Sequence, residues 1–212
     1  MRNLDIHNLL ITILALLLSI IPHEVAHGYM SYKLGDTTAK EDGRLSLNPL
    51  NHIDPLGLLS MIVFRFGWAK AVPIDFSRIK GNKNLGIFLI SIAGVTMNFI
   101  IAFVFSIFLS KALIAKDNFI SEILTEIVWY NVMLGVFNLI PLPPLDGSKI
   151  IASFLPYKYQ FYFFKYEKYF YIALIVLIFS GFINNIIGPI ILKIINFFIN
   201  VGASFWINTG LI

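Results

Sequence analysis

Charged side chains are missing from long stretches of this chain, and the gaps predict its architecture. No Asp, Glu, Lys or Arg occurs in residues 6–22, 84–110, 127–145, 169–192 or 194–212. A helix needs about 20 apolar residues to cross the roughly 30 Å hydrocarbon layer of a bilayer. The first four runs approach or exceed that length, and each predicts a membrane-spanning helix. The last is different: "VGASFWINTG" is polar and Gly-rich, and Gly188-Pro189 interrupts the approach to it, so residues 190–212 predict either a further span or an interfacial segment. Between the polar stretches 33–54 and 65–83 lies "PLGLLSMIVF", residues 55–64, apolar but only ten residues long. As a helix it would rise about 15 Å, so it is expected to enter the membrane and return, or to lie in the interface, sheltered by protein where its backbone is irregular. In "GRLSLNPLNH", residues 43–52, Leu45 and Leu47 alternate with polar neighbours. That alternation suits a small membrane-associated β-hairpin, whose edge could take an extended peptide, as well as it suits an ordinary loop.

The pattern predicts an all-α polytopic membrane protein with about four to six transmembrane helices and a re-entrant or interfacial segment. Composition agrees. Of 212 residues, 58% are hydrophobic and 13% charged, with a mean hydropathy of +0.79, whereas charged residues approach about a quarter of a soluble domain. The start "MRNLD" before an apolar run resembles a secretory leader, but "PHEVAHGY" follows instead of a small-residue cleavage site, so the first span is expected to be retained. There is no cysteine, which excludes disulfides and thiolate metal ligands. Neither polar stretch is long enough for an independent extramembrane domain, so residues 1–212 read as one membrane domain, with a core at 6–147 and C-terminal helices at 148–212.

Basic residues orient it. If 55–64 does not cross, Lys33, Lys40, Arg44, Arg65, Lys70, Arg78, Lys80, Lys83, Lys149, Lys158, Lys165 and Lys168 share one side. Arg2, Lys111, Lys116 and Lys193 fall on the other, Lys193 provided that it lies past the fourth span. The richer side is then cytoplasmic. The +4 net charge resides in these loops and fits an anionic leaflet better than a nucleic acid.

Against this background "SIIPHEVAHGYMSYKLGD", residues 19–36, is anomalous: two histidines and a glutamate follow a run of Leu and Ile. Ionisable groups within a span are costly and mark function. His23 and His27 are i and i+4, so both imidazoles project from one helical face, close enough to grip one metal ion. Glu24 points to the side of that pair, where a carboxylate can act as general base. Zinc suits two neutral imidazoles and lowers the pKa of a bound water toward 7. Pro22 lacks a backbone N–H and is expected to kink the helix just before His23.

A catalytic zinc needs a third protein ligand. His7 sits about 24 Å of helix from His23. His52 lies in a polar loop beside Asn51 and Asp54. The stronger candidate is Asp146 in "NLIPLPPLDGSKI", where Pro141, Pro143 and Pro144 are expected to end the third span near Pro141 and carry the chain onward in an extended segment. An Asp-Gly turn would explain Asp146 without any metal. Only if 55–64 fails to cross do His23, His27 and Asp146 reach one membrane face, and the charge distribution favours that arrangement.

"PHEVAHGY" together with "NLIPLPPLDG" resembles the site-2 proteases, intramembrane zinc metalloproteases with HExxH on one span and an NxxPxxxLDG-like sequence on another. The resemblance runs from about Ile21 to Gly147, takes in "LSLNPLNHIDPLG", "WAKAVPID" and "SIAGVTMN", and is greatest to the short bacterial members without a PDZ domain. It implies one zinc per chain on His23, His27 and Asp146, with Glu24 as catalytic base, and Asn138 and Pro141 helping to hold the substrate. The family often has Gly-Pro before the Asn of its middle span, whereas this chain reads Gly94-Val95-Thr96-Met97-Asn98, which weakens a substrate role for Asn98. Gly94 and Asn98 also suit helix packing and an interhelical hydrogen bond. The resemblance implies hydrolysis of peptide bonds within or near transmembrane segments of single-span membrane proteins, in a bacterial plasma membrane, with the site near the cytoplasmic face. A regulatory membrane protein and a second copy are further partner classes. A metal transporter, a prenyl-protein endopeptidase and a catalytically silent zinc-binding scaffold are the competing readings.

Overall fold

The computed structural model describes residues 6–52, 54, 57 and 70–210. The segment 55–64, expected to be re-entrant or interfacial, lies outside the described residues apart from Gly57. The chain is helical, in the order α1 (Ile6–Lys33), α2 (Thr38–Glu41), α3 (Lys83–Ile114), α4 (Asn118–Asn138), α5 (Asp146–Ser153), α6 (Tyr157–Lys165), α7 (Glu167–Phe179) and α8 (Phe182–Thr209). Among the described residues there is no strand. Residues 43–52 run through a 3₁₀ turn at Pro49–Asn51, so the hairpin suggested by the Leu45/Leu47 alternation does not form there.

Among the described residues four helices are long and apolar enough to cross a membrane: Ile6–Lys33, Lys83–Ile114, Asn118–Asn138 and Asn185–Thr209. The protein is an integral membrane protein whose regular structure, among the described residues, is entirely helical. Two expected spans are shifted. The third starts at Asn118, where the Asp117 carboxylate caps the Ile120 N–H; it carries Glu122 and Glu126 and stops at Asn138, before the prolines. The apolar run 169–192 is not one helix. Gly181, at φ +74°, ends α7 after 13 residues, about 20 Å and too short to cross, and restarts the chain as α8. Pro189 lies inside α8, so the doubtful C-terminal segment supplies the span. Lys193, expected beyond the fourth span, lies within it. α1 continues through Pro22 as one helix.

Contacts fix the helix directions. His7, in the first turn of α1, is 3.5 Å from Glu122 near the start of α4, so α1 and α4 run parallel. At the other end of α1, His27 meets Ile90, near the start of α3, making α3 antiparallel to both. α8 runs with α3: its Trp206 indole donates to the Ile107 carbonyl at 2.7 Å and its ring lies under the Lys111 ammonium. The apolar core joins Ala102 and Leu109 of α3, Val128, Val132 and Val136 of α4, and Ile191 of α8. Beyond α1 a polar shelf is tied together by Asp36, which accepts from Ser31, Thr38 and the Asp75 N–H.

Candidate metal centre

The irregular segment after α4 delivers Asp146 to the first position of α5, opposite the last turns of α1. His23 Nε2 and His27 Nε2 are 3.0 Å apart, and Asp146 Oδ2 lies 3.2 Å from the first and 3.0 Å from the second. All three residues are buried. A turn residue at the surface would be exposed; Asp146 is instead drawn under the two imidazoles, and only its other oxygen looks outward, 3.5 Å from the Lys149 ammonium. Gly147 is obligatory here, because a Cβ would collide with the backbone carbonyls of Leu139 and Ile140.

Hydrogen bonds on the far side of each ring decide what the near side can do. His27 Nδ1 is 2.6 Å from the Ile90 carbonyl, which only accepts, so Nδ1 carries the proton. His23 Nδ1 is 2.6 Å from Asn98 Oδ1. The amide orientation of Asn98 is set by its Nδ2, which donates to the Ser19 carbonyl at 2.9 Å and to Asn131 Oδ1 at 3.0 Å. Asn131 is set in turn by its own bond to the Ile127 carbonyl. Both neutral imidazoles are thereby held in the Nδ1–H form, leaving two bare Nε2 lone pairs and a carboxylate oxygen pointing at one another. Three converging acceptors repel unless a proton or a cation lies between them, and two imidazoles with one carboxylate are a donor set that suits zinc. The group can hold a metal ion.

Gly94 makes the pocket. A Cβ there would lie 2.7 Å from Cε1 of both His23 and His27, so α3 offers the rings a bare backbone to lie against. Glu24 is half-buried beside the pair, and its Oε2 accepts from the Val72 N–H at 2.9 Å, which ties residues 70–75 to the end of α1. Residue by residue, the structure brings together His23, His27 and Asp146 and puts Asn98 behind His23. Asn98 is committed to the ring and to α1, not turned to an open face. Asn138 bonds the Leu134 carbonyl within its own helix, and Pro141 is exposed in the following turn. His52 is occupied with the Ser46 carbonyl, and His7 is at the opposite end with Glu122. Asn131 escaped the sequence reading; its only signal there is an amide within a span.

Residues 111–181 match the family described as Peptidase family M50. Over 186 residues the chain is 36% identical to the protein named "Putative zinc metalloprotease YwhC" of Bacillus subtilis (strain 168), a match covering 84% of either chain. No solved structure matches the chain.

Proposed function

The chain belongs to peptidase family M50, the site-2 protease family, and we propose that it is an intramembrane zinc endopeptidase cutting peptide bonds within or near the transmembrane segments of other membrane proteins. The observation that carries this reading is the meeting of His23 Nε2, His27 Nε2 and Asp146 Oδ2 within 3.2 Å of one another, with both Nδ1 atoms already spent as donors. His23, His27 and Asp146 would hold the metal. When bound, zinc supplies Lewis acidity toward a scissile carbonyl and lowers the pKa of a water.

Glu24 is the group that moves protons. Its Oε2 is held by the Val72 N–H, which fixes the carboxylate while leaving Oε1 to take a proton from the attacking water and return it to the leaving amine. Asn98 and Ile90 hold the two rings in one tautomer, so the ligand set is organised before any substrate arrives. Burial at the end of α1 keeps bulk water limited, which suits a peptide bond that must be unwound from its helix and held extended. Asn138 and Pro141, beside the metal-binding turn, are the proposed contacts to that peptide. The basic loops on the same side as the centre support a cytoplasmic-face site in a bacterial plasma membrane.

The test is cleavage of single-span substrates by the purified chain in proteoliposomes. Glu24→Gln should abolish cleavage while retaining zinc, because it removes the base and leaves the ligands. A Glu24→Gln protein that cleaves at the wild-type rate would contradict the assignment.

A further inference from the structure

α8 carries two faces, and the fold uses only one. Ile191, Gly202 and Trp206 are buried, with Gly202 close against Ile107 of α3. On the other side Asn185, Lys193, Asn196, Asn200 and Ser204 are all exposed, and at 3.6 residues per turn they fall within an arc of about 100°. Ser204 spends its hydroxyl on the Asn200 carbonyl. Lys193 forms no ion pair, and the side chains of Asn196 and Asn200 no hydrogen bond, among the described residues. Exposed Ile190, Phe197 and Val201 flank the stripe.

Depth makes the stripe unusual. The span Asn185–Thr209 is centred on Phe197, and at 1.5 Å per residue Lys193, Asn196 and Asn200 all lie within about 6 Å of that centre. Polar groups facing lipid there have no water to bond. A lysine can extend its ammonium toward the interface, but the short amides of Asn196 and Asn200 have no such route.

We infer that this stripe docks a transmembrane helix of another protein carrying a carboxylate at the depth of Lys193, with Asn196 and Asn200 hydrogen-bonding the next turns of that helix. Charge decides the occupant. Two copies of this chain in one bilayer share an orientation, so their symmetry axis lies along the membrane normal and equivalent residues of a shared interface lie at equal depth. Lys193 would then oppose Lys193 in a medium of low dielectric constant, where like charges repel strongly. A carboxylate removes that charge, and the amides then find partners of the kind that hold membrane helices together.

The inference is independent of proteolysis and is tested without it. The full chain, with a donor fluorophore on Lys116→Cys, is reconstituted in phosphatidylcholine vesicles. Acceptor-labelled Leu/Ala single-span peptides then carry Glu, Leu or Lys one turn from their centre. Energy transfer should show the Glu peptide binding at about tenfold lower peptide-to-lipid ratio than the Leu peptide, about 1.4 kcal/mol. Lys193→Leu should remove the preference, Lys193→Glu should move it to the Lys peptide, and Asn196→Leu with Asn200→Leu should weaken both peptides' binding several-fold. The Leu variants suit a lipid-facing position, so lost preference is not lost folding. Equal binding of Glu and Leu peptides to the wild type would overturn the inference. So would self-association of the chain alone that Lys193→Leu changes, which would make the stripe an interface between copies.

Discussion

Gly94 and Asn98 show how much of the centre rests on residues with no place in the ligand set. Gly94→Ala puts a methyl 2.7 Å from both imidazole Cε1 atoms, and the rings must move. Zinc per chain should fall while the protein still inserts and stays monodisperse; were Gly94 only a helix-packing residue, zinc would be unchanged. Asn98→Ala leaves the His23 Nδ1–H buried without an acceptor, a loss of about 1–3 kcal/mol, and frees the ring to turn. Metal affinity should drop by about 10–100-fold, read by competition with a chelator. The pairing of His23 with His27 was legible in the sequence, since i, i+4 spacing places two imidazoles on one face whatever surrounds them. The job of Asn98 was not legible. An amide in a span announces that it has a partner, but which partner depends on the rotation of α3 against α1. The sequence left Asn98 open between a substrate contact and an interhelical hydrogen bond, and the structure spends it on His23 and α1.

Helices follow the same logic one level up. Charge-free runs located α1 and α3 well, because both are continuous apolar segments. They missed the first turns of α4, which carry Glu126 and Glu122, the latter 3.5 Å from His7. They also ran α7 into α8, because a left-handed glycine breaks a helix without altering its hydropathy. The joint between α1, α2 and residues 70–75 is Asp36, fully buried. Burial pushes its carboxyl up, but hydrogen bonds from Thr38, Asp75 and Ser31 outweigh that and hold it below the usual carboxylate range. A depressed folded-state value contributes stability that is complete above the unfolded pKa, about 3.9, and lost as pH falls through the folded value. Stability in detergent should therefore decline below about pH 4, and the decline should be smaller in Asp36→Asn. Asp36→Ala at pH 7 should cost about 2–3 kcal/mol, measured by denaturant unfolding.

For the molecule as a whole, the meeting of His23, His27 and Asp146 requires the end of α1 and the start of α5 to share one side of the membrane. Single cysteines at Lys40, Lys80 and Lys158 should all react with an impermeant thiol reagent from the cytoplasmic side, and one at Lys116 from the other. Opposite labelling of positions 40 and 80 would mean that 55–64 crosses and that the centre cannot assemble. The bias of basic residues is the sequence's argument for this topology, whereas the convergence of three donor atoms within 3.2 Å is a property of the folded chain alone. Zinc per purified, monodisperse chain, compared for wild type, His23→Ala and Asp146→Asn, tests that convergence most directly. One equivalent in the wild type and clearly less in both variants is the expected result, because Asn keeps the turn but replaces an anionic donor with a weak neutral one. Full zinc in Asp146→Asn would contradict the account and reduce Asp146 to a turn residue.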